Sequence, residues 1–171
     1  MITHDNILFE VFNVLKIIPN GNNAEQERIL SFLPLSHVAG MMVDIVAPIA
    51  MAANGPAWCT VSFARPYDLK IGSVGDRLRS VKPTLFLGVP RVWEKIAEKM
   101  KAVGANTKGL KKTIATWAKV KGLVHQQNMQ LGGSGAKPSF HGLANKLVLS
   151  KVKAALGLEC CKFGFTGAAP I

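Results

Sequence analysis

His37 is the residue best placed to do chemistry in this chain. It stands in LSFLPLSHVAGMM (30–42), just past a short apolar run, 29–33, that reads as a buried strand. An imidazole at a strand end can sit in a crevice and donate a hydrogen bond to a phosphate or carboxylate oxygen. The competing reading is a histidine held for packing among apolar neighbours. Asp44 follows seven residues later, but no triad is visible: no serine lies in a GxSxG elbow, and there is no HExxH and no paired-carboxylate arrangement. The glycines at 132–135 lack the GK[ST] ending of a phosphate loop and follow a basic helix instead of a strand, so they read as a surface linker.

The elements that must position His37 follow from periodicity. Residues 5–18 carry a helical apolar stripe, with Thr3 or Asp5 able to cap its start and Pro19-Asn20-Gly21 to end it. Residues 38–53 read as a helix closed by Asn54-Gly55-Pro56, 57–63 as β-prone, and 74–81 as a short amphipathic helix. A buried strand is expected at 84–87, stopped by Gly88 and Pro90. Basic helices are expected at 92–103 and 110–131, with Trp93, Ile96 and Met100 on one face of the first. A flexible Gly-rich loop spans 131–138, a last helix 140–156 and a last strand 161–165. Short apolar strands alternating with helices imply a mostly parallel α/β sheet. In such sheets ligands bind in the crevice at the carboxyl ends of the strands. Three expected strands end there in turn-forming residues: Leu33-Pro34, Gly88-Val89-Pro90, and the run from Gly167 to Pro170.

Composition narrows the classes. Half of the 171 residues are apolar, enough for a core, and 21 Lys+Arg against 10 Asp+Glu leave a formal charge of +11. That balance favours anionic partners: nucleic acid, acidic lipid headgroups, nucleotides or CoA-type phosphates. The segment 91–121 is especially basic, yet few aromatics interleave with its lysines, which argues against RNA. Cys59, Cys160 and Cys161 form no disulfide framework and no zinc motif, and read as reduced buried thiols. No secretory signal is visible at the N-terminus. The apolar stretch 29–53 approaches the length of a membrane span, but His37, Asp44, Pro34 and Pro48 interrupt it, and a buried strand followed by a buried helix explains the same letters.

Four motifs carry more than composition does. MITHDNI (1–7), LSFLPLSHVAGMM (30–42), KPTLFLGVPRVWEKI (82–96) and SKVKAALGLECCKFGFTGAAPI (150–171) resemble, in order and approximate spacing, the long-chain acyl-CoA synthetases, most closely the bubblegum subgroup. The resemblance implies an incomplete slice of the stacked α/β N-terminal domain of adenylate-forming enzymes, with 1–171 as part of that AMP-binding region. It implies ATP and Mg in the complete enzyme, CoA as co-substrate, and a fatty acid joined first to AMP and then to CoA. By the same resemblance, His37 with Val38, Ala39, Gly40 and Met41 would line the acyl and α-phosphate side of the site. Gly88, Val89 and Pro90 would approach the acyl channel, and Gly167, Ala168, Ala169 and Pro170 would meet adenine and the acyl carboxyl.

The family's phosphate loop would lie before residue 1, and its magnesium-holding Glu motif and catalytic Lys after residue 171. The expectation is therefore a ligase segment inactive alone, on the cytoplasmic side of the cell and peripheral to the endoplasmic reticulum or another membrane. The alternatives are a non-catalytic fragment that binds acyl chains or an acidic membrane surface, and a basic nucleic-acid module; no nucleic-acid partner is expected.

Overall fold

A computed structural model describes residues 2–17, 26–56, 58–130 and 132–167. Four parallel strands form one sheet in the order β2-β1-β3-β4: β1 Gln26–Ser31, β2 Trp58–Phe63, β3 Leu85–Gly88 and β4 Phe163–Thr166. The chain is thus mixed α/β with an all-parallel sheet flanked by helices. Helix α1 (His4–Ile17) opens with a reciprocal cap. The Asn6 amide donates to Thr3 Oγ1, and the Thr3 amide donates to Asn6 Oδ1.

Two cores cover opposite faces of the sheet. On one, Val11 and Leu15 of α1 meet Ala50 and Met51 of α3 (Ala47–Asn54), with Cys59 of β2 packed against them. On the other, Leu30 and Phe86 of the strands meet Val74 and Leu78 of α5 (Val74–Val81), together with Leu158. Phe86 stacks on Phe32 at 5.7 Å between ring centroids and takes the edge of Trp93 at 5.2 Å.

Several elements differ from the sequence expectation, each for a local reason. The first strand ends at Ser31, so Leu33 belongs to the turn beyond it. The expected 38–53 helix is a continuous helical run containing α2 (Val38–Met41), a π-turn (Met42–Val46) and α3. Pro48 explains the widening: its ring would crowd the Asp44 carbonyl of a regular α-helix and its nitrogen cannot donate to it. A second π-turn, Asn145–Leu149, likewise divides the last helical stretch between α8 (His141–Ala144) and α9 (Ser150–Leu156). Pro90 starts helix α6 (Pro90–Ala105) in the first turn, where a missing N–H costs nothing. Within α6, Val92, Trp93 and Ile96 reach the core, while Met100, at the helical spacing of Trp93 and Ile96, is exposed. Helix α7 (Gly109–Asn128) stops short of the expected 131, and the strand expected at 161–165 forms at 163–166. The short helix α4 (Asp68–Ile71) was not anticipated. The three cysteines are free but half-buried instead of fully buried. Among the described residues no helix is long and apolar enough to cross a membrane.

Candidate functional site at the carboxyl edge of the sheet

The strand order reverses direction at β1. The chain passes from β1 outward to β2, then returns to lay β3 on β1's other side. Among the described residues, pairing between β1 and β3 is confined to Ile29 opposite Leu85. Thr84 secures that junction: its hydroxyl accepts from the Arg28 amide at 2.8 Å and its own amide donates to the Arg28 carbonyl at 2.9 Å. Beyond it the ladder stops, and a crevice opens at the carboxyl ends, the position where open α/β sheets bind ligands.

That crevice is a cavity of about 500 Å³ lined by Leu33, Pro34, His37, Val38, Ala39, Leu87, Val89 and Gly167. Its walls are apolar apart from His37. The size and lining suit an apolar chain ending in a group that accepts a hydrogen bond. A second cavity, about 440 Å³, lies between α1 and α3 and is lined by Phe12, Leu15, Lys16 and Asn54. It is away from the strand ends and holds none of the motif residues.

His37 is fixed before any ligand arrives. The turn Pro34 to His37 closes through the His37 amide donating to the Pro34 carbonyl at 2.9 Å. His37 then caps the helical run, with its Nδ1 accepting from the Ala39 amide at 3.1 Å. A neutral ring bonded this way carries its proton on Nε2, leaving that nitrogen as a donor. Gly40 is buried under this turn: a Cβ there would lie 2.6 Å from the Pro34 carbonyl oxygen. A side chain at position 40 would therefore push the capped turn away from the helix. Met41 is half-buried behind the wall.

Across the crevice, Val89 caps α6 in an extended conformation and Pro90 begins it. Gly88 is buried, and a Cβ there would stand 2.8 Å from Trp93 Nε1. The Trp93 indole N–H is shared between the carbonyls of Gly88 at 3.0 Å and Phe165 at 3.3 Å, joining the ends of β3 and β4. Trp93, which the sequence placed only on one helix face with Ile96 and Met100, is a supporting residue of the site. Its signal was a tryptophan five residues beyond a strand-end glycine. The structure thus brings His37, Val38, Ala39, Val89 and Gly167 to one cavity. Gly40, Met41, Gly88 and Pro90 stand behind it, and Ala168, Ala169 and Pro170 lie outside the described residues.

Asp44 lines no part of this cavity. It is buried in the π-turn, where burial raises its pKa and a hydrogen bond with the Ser31 side chain partly offsets the rise. Nearby, Glu27 of β1 is buried and pairs with Lys162 at 2.9 Å. Burial, then the Glu27 and Asp44 charges, push the Cys59 thiol up to about 11. The cavity lining carries no carboxylate, so these residues do not fit a magnesium ion.

A four-stranded all-parallel sheet flanked by helices, with an apolar cavity and one imidazole at its reversal point, defines an open α/β protein. The match to known proteins is more specific: the model of the AMP-binding enzyme family matches residues 1–166, and the chain belongs to that family. Along its whole length it is 46% identical to the long-chain-fatty-acid–CoA ligase ACSBG2 of Xenopus laevis and 39% identical to ACSBG2 of Homo sapiens. Over 86% of its length it is 42% identical to ACSBG1 of Homo sapiens, also a long-chain-fatty-acid–CoA ligase. The chain spans 22%, 24% and 19% of those three proteins respectively. No solved structure matches.

Proposed function

We propose that this chain supplies the acyl-binding wall of a long-chain fatty acid–CoA ligase. In that reaction a fatty carboxylate attacks the α-phosphorus of ATP and expels pyrophosphate. The thiol of CoA then attacks the acyl carbon and releases AMP. Within this reading the acyl chain lies along Leu33, Val38, Ala39, Leu87 and Val89. His37 donates from Nε2 to the acyl carboxylate or α-phosphate oxygen as charge shifts between them. Gly167, at the end of β4, faces adenine. The observation that carries the proposal is the convergence of His37 and apolar walls from three strand ends on one cavity at the sheet's reversal point.

Two finer readings go with it. The chain alone forms no acyl-CoA, because the 171 residues contain no phosphate loop and the cavity offers no magnesium ligand. The chain also works on the cytoplasmic side of the cell, peripheral to the endoplasmic reticulum or another membrane; its charge of +11 supports contact with an acidic surface.

The test is photo-crosslinking of the chain with a long-chain fatty acid bearing a diazirine, read by peptide mapping. Adducts within 33–39 and 87–89 that are competed by unlabelled fatty acid are expected. Adducts concentrated instead at Phe12, Leu15 or Asn54 would move the acyl site to the other cavity and overturn the reading.

A further inference from the structure

The net charge of this chain is confined to one segment. Residues 99–158 hold eleven lysines and no aspartate, glutamate or arginine, whereas the remaining 111 residues balance ten cations against ten carboxylates. Thus the whole +11 lies between Lys99 and Leu158, a stretch built of the end of α6, α7, α8 and α9.

The fold turns part of this charge outward along one face of α7. Ala118 and His125 are the buried residues of that helix, and Gly122 between them faces Leu149 of the second π-turn, where a Cβ would meet its side chain at 3.2 Å. Positions 118, 122 and 125 therefore mark the inner face. On the opposite face, at helical spacing, stand Lys112, Lys119, Val120 and Leu123, all exposed. At the ends of the helix Leu110 is 82% exposed and Met129 61% exposed. Lysines and bare aliphatic side chains thus share an exposed face, with the Lys119 ammonium at its edge, where a Cβ on Gly104 of α6 would meet it at 3.5 Å.

We infer that this outer face of α7 docks on an anionic lipid bilayer. The inference rests on, and deepens, the proposal that the chain works at a membrane periphery. The complementarity is of two kinds. Acid-free lysines meet the negative surface of the bilayer, and Val120 and Leu123 between them enter the boundary of headgroups and acyl chains. Lysine suits this position, since its long aliphatic stem lies along the apolar layer while the ammonium reaches the headgroups. A nucleic-acid site fits less well: the segment holds no arginine, and the exposed apolar residues on this face are aliphatic, offering no ring for a base to stack on. The contact lies in the interface plane, since no described helix can cross.

The test is co-flotation of the 171-residue chain with phosphatidylcholine vesicles made with and without phosphatidylserine, across a range of ionic strength. Binding that requires phosphatidylserine and weakens with salt is expected. The pair Lys112→Gln and Lys119→Gln should weaken it about 10- to 30-fold. The pair Val120→Asn and Leu123→Asn should weaken it about tenfold and reduce its salt-resistant part. A matched pair outside the segment, Lys16→Gln and Lys70→Gln, should leave binding within about twofold, and all three pairs should keep the parent's circular dichroism spectrum. Equal losses from the matched pair and the α7 pairs would overturn the docking face while leaving membrane contact standing. No binding to either vesicle, binding indifferent to phosphatidylserine, or tighter binding to single-stranded RNA than to the anionic vesicles would overturn the inference itself.

Discussion

The indole nitrogen of Trp93 lies 3.0 Å from the carbonyl oxygen of Gly88, and the ring occupies the space that a side chain on Gly88 would need. Helix α6 is in this way fastened to the end of β3, and through Phe165 to β4 as well. The relationship is reciprocal: the glycine admits the indole, and the indole holds the strand end that forms one wall of the cavity.

A coupling follows. Gly88→Ala should destabilise the chain by about 1–3 kcal/mol through overpacking, and Trp93→Phe by about 1–2 kcal/mol through loss of the one N–H that the Gly88 and Phe165 carbonyls share. In the Trp93→Phe background the nearest obstructing atom is gone, so adding Gly88→Ala should cost at least about 0.5 kcal/mol less than it does alone. Urea unfolding of the two single variants and the double variant measures this. Strict additivity would mean that the indole and the glycine do not share the space.

The helical hairpin of α7 and α8 should loosen in mild acid. His125 and His141 sit edge to face with ring centroids 4.4 Å apart. Burial first, then the charges of His125 and Lys137, hold the His141 pKa below its ordinary 6.5. The unfolded chain therefore takes up a proton at a higher pH than the folded chain does. Stability is at its full value above about pH 6.5 and declines as pH falls through the lower folded value. Thermal melts between pH 7.5 and 5 should show this decline, and His141→Gln should flatten it. A melting temperature equally steep with pH in that variant would place the sensitive group elsewhere.

Local pattern made some elements legible and left others hidden. The helix at 74–81 forms over those residues because its apolar positions recur with helical period and face Leu30 and Phe86. The turn at Leu33-Pro34 was visible because proline follows an apolar run. Asp68 was not visible. It is fully buried, accepting hydrogen bonds from Ser73 Oγ, the Arg65 amide and guanidinium, and Arg77 Nε. Together these partners, the Ser73 hydroxyl foremost, hold its carboxyl well below the usual carboxylate range against the opposing effect of burial. A lone aspartate in a polar stretch gives no hint of such a cage. The pairing of Glu27 with Lys162 is similarly hidden, since it joins residues 135 positions apart. At the site, the strand-end turns could be read from the letters. The restriction of the β1–β3 ladder to a single residue pair, which opens the cavity, could not, because register depends on the packed sheet.

Cys59 should be a slow thiol. With its pKa pushed up to about 11 by burial and by the Glu27 and Asp44 charges, the thiolate at pH 8 is on the order of 0.1% of the population, against roughly a quarter for an unperturbed cysteine. Alkylation at pH 8 should therefore be on the order of 100-fold slower at Cys59 in the folded chain than in urea. Peptide mapping after timed quenching resolves it from Cys160 and Cys161. Equal rates in both states would show that the strand β2 site does not exclude charge.

The last prediction separates the two tasks of His37, and it applies to a complete ligase carrying this segment. Its Nδ1 caps the helical run at the Ala39 amide, and Nε2 is the donor proposed to meet the reacting carboxylate or phosphate oxygen. Alanine removes both, whereas asparagine can restore the cap with a shorter side chain that falls short of the cavity. His37→Ala should therefore lower stability by about 1 kcal/mol, and His37→Asn by only a few tenths. Adenylation, followed by fatty-acid-dependent pyrophosphate exchange, should slow in both variants by about 10- to 100-fold, the worth of a charge-assisted hydrogen bond of roughly 1.5–3 kcal/mol. If activity instead recovers in His37→Asn along with stability, then His37 acts through the turn it caps, and the donor in the adenylation step is another residue.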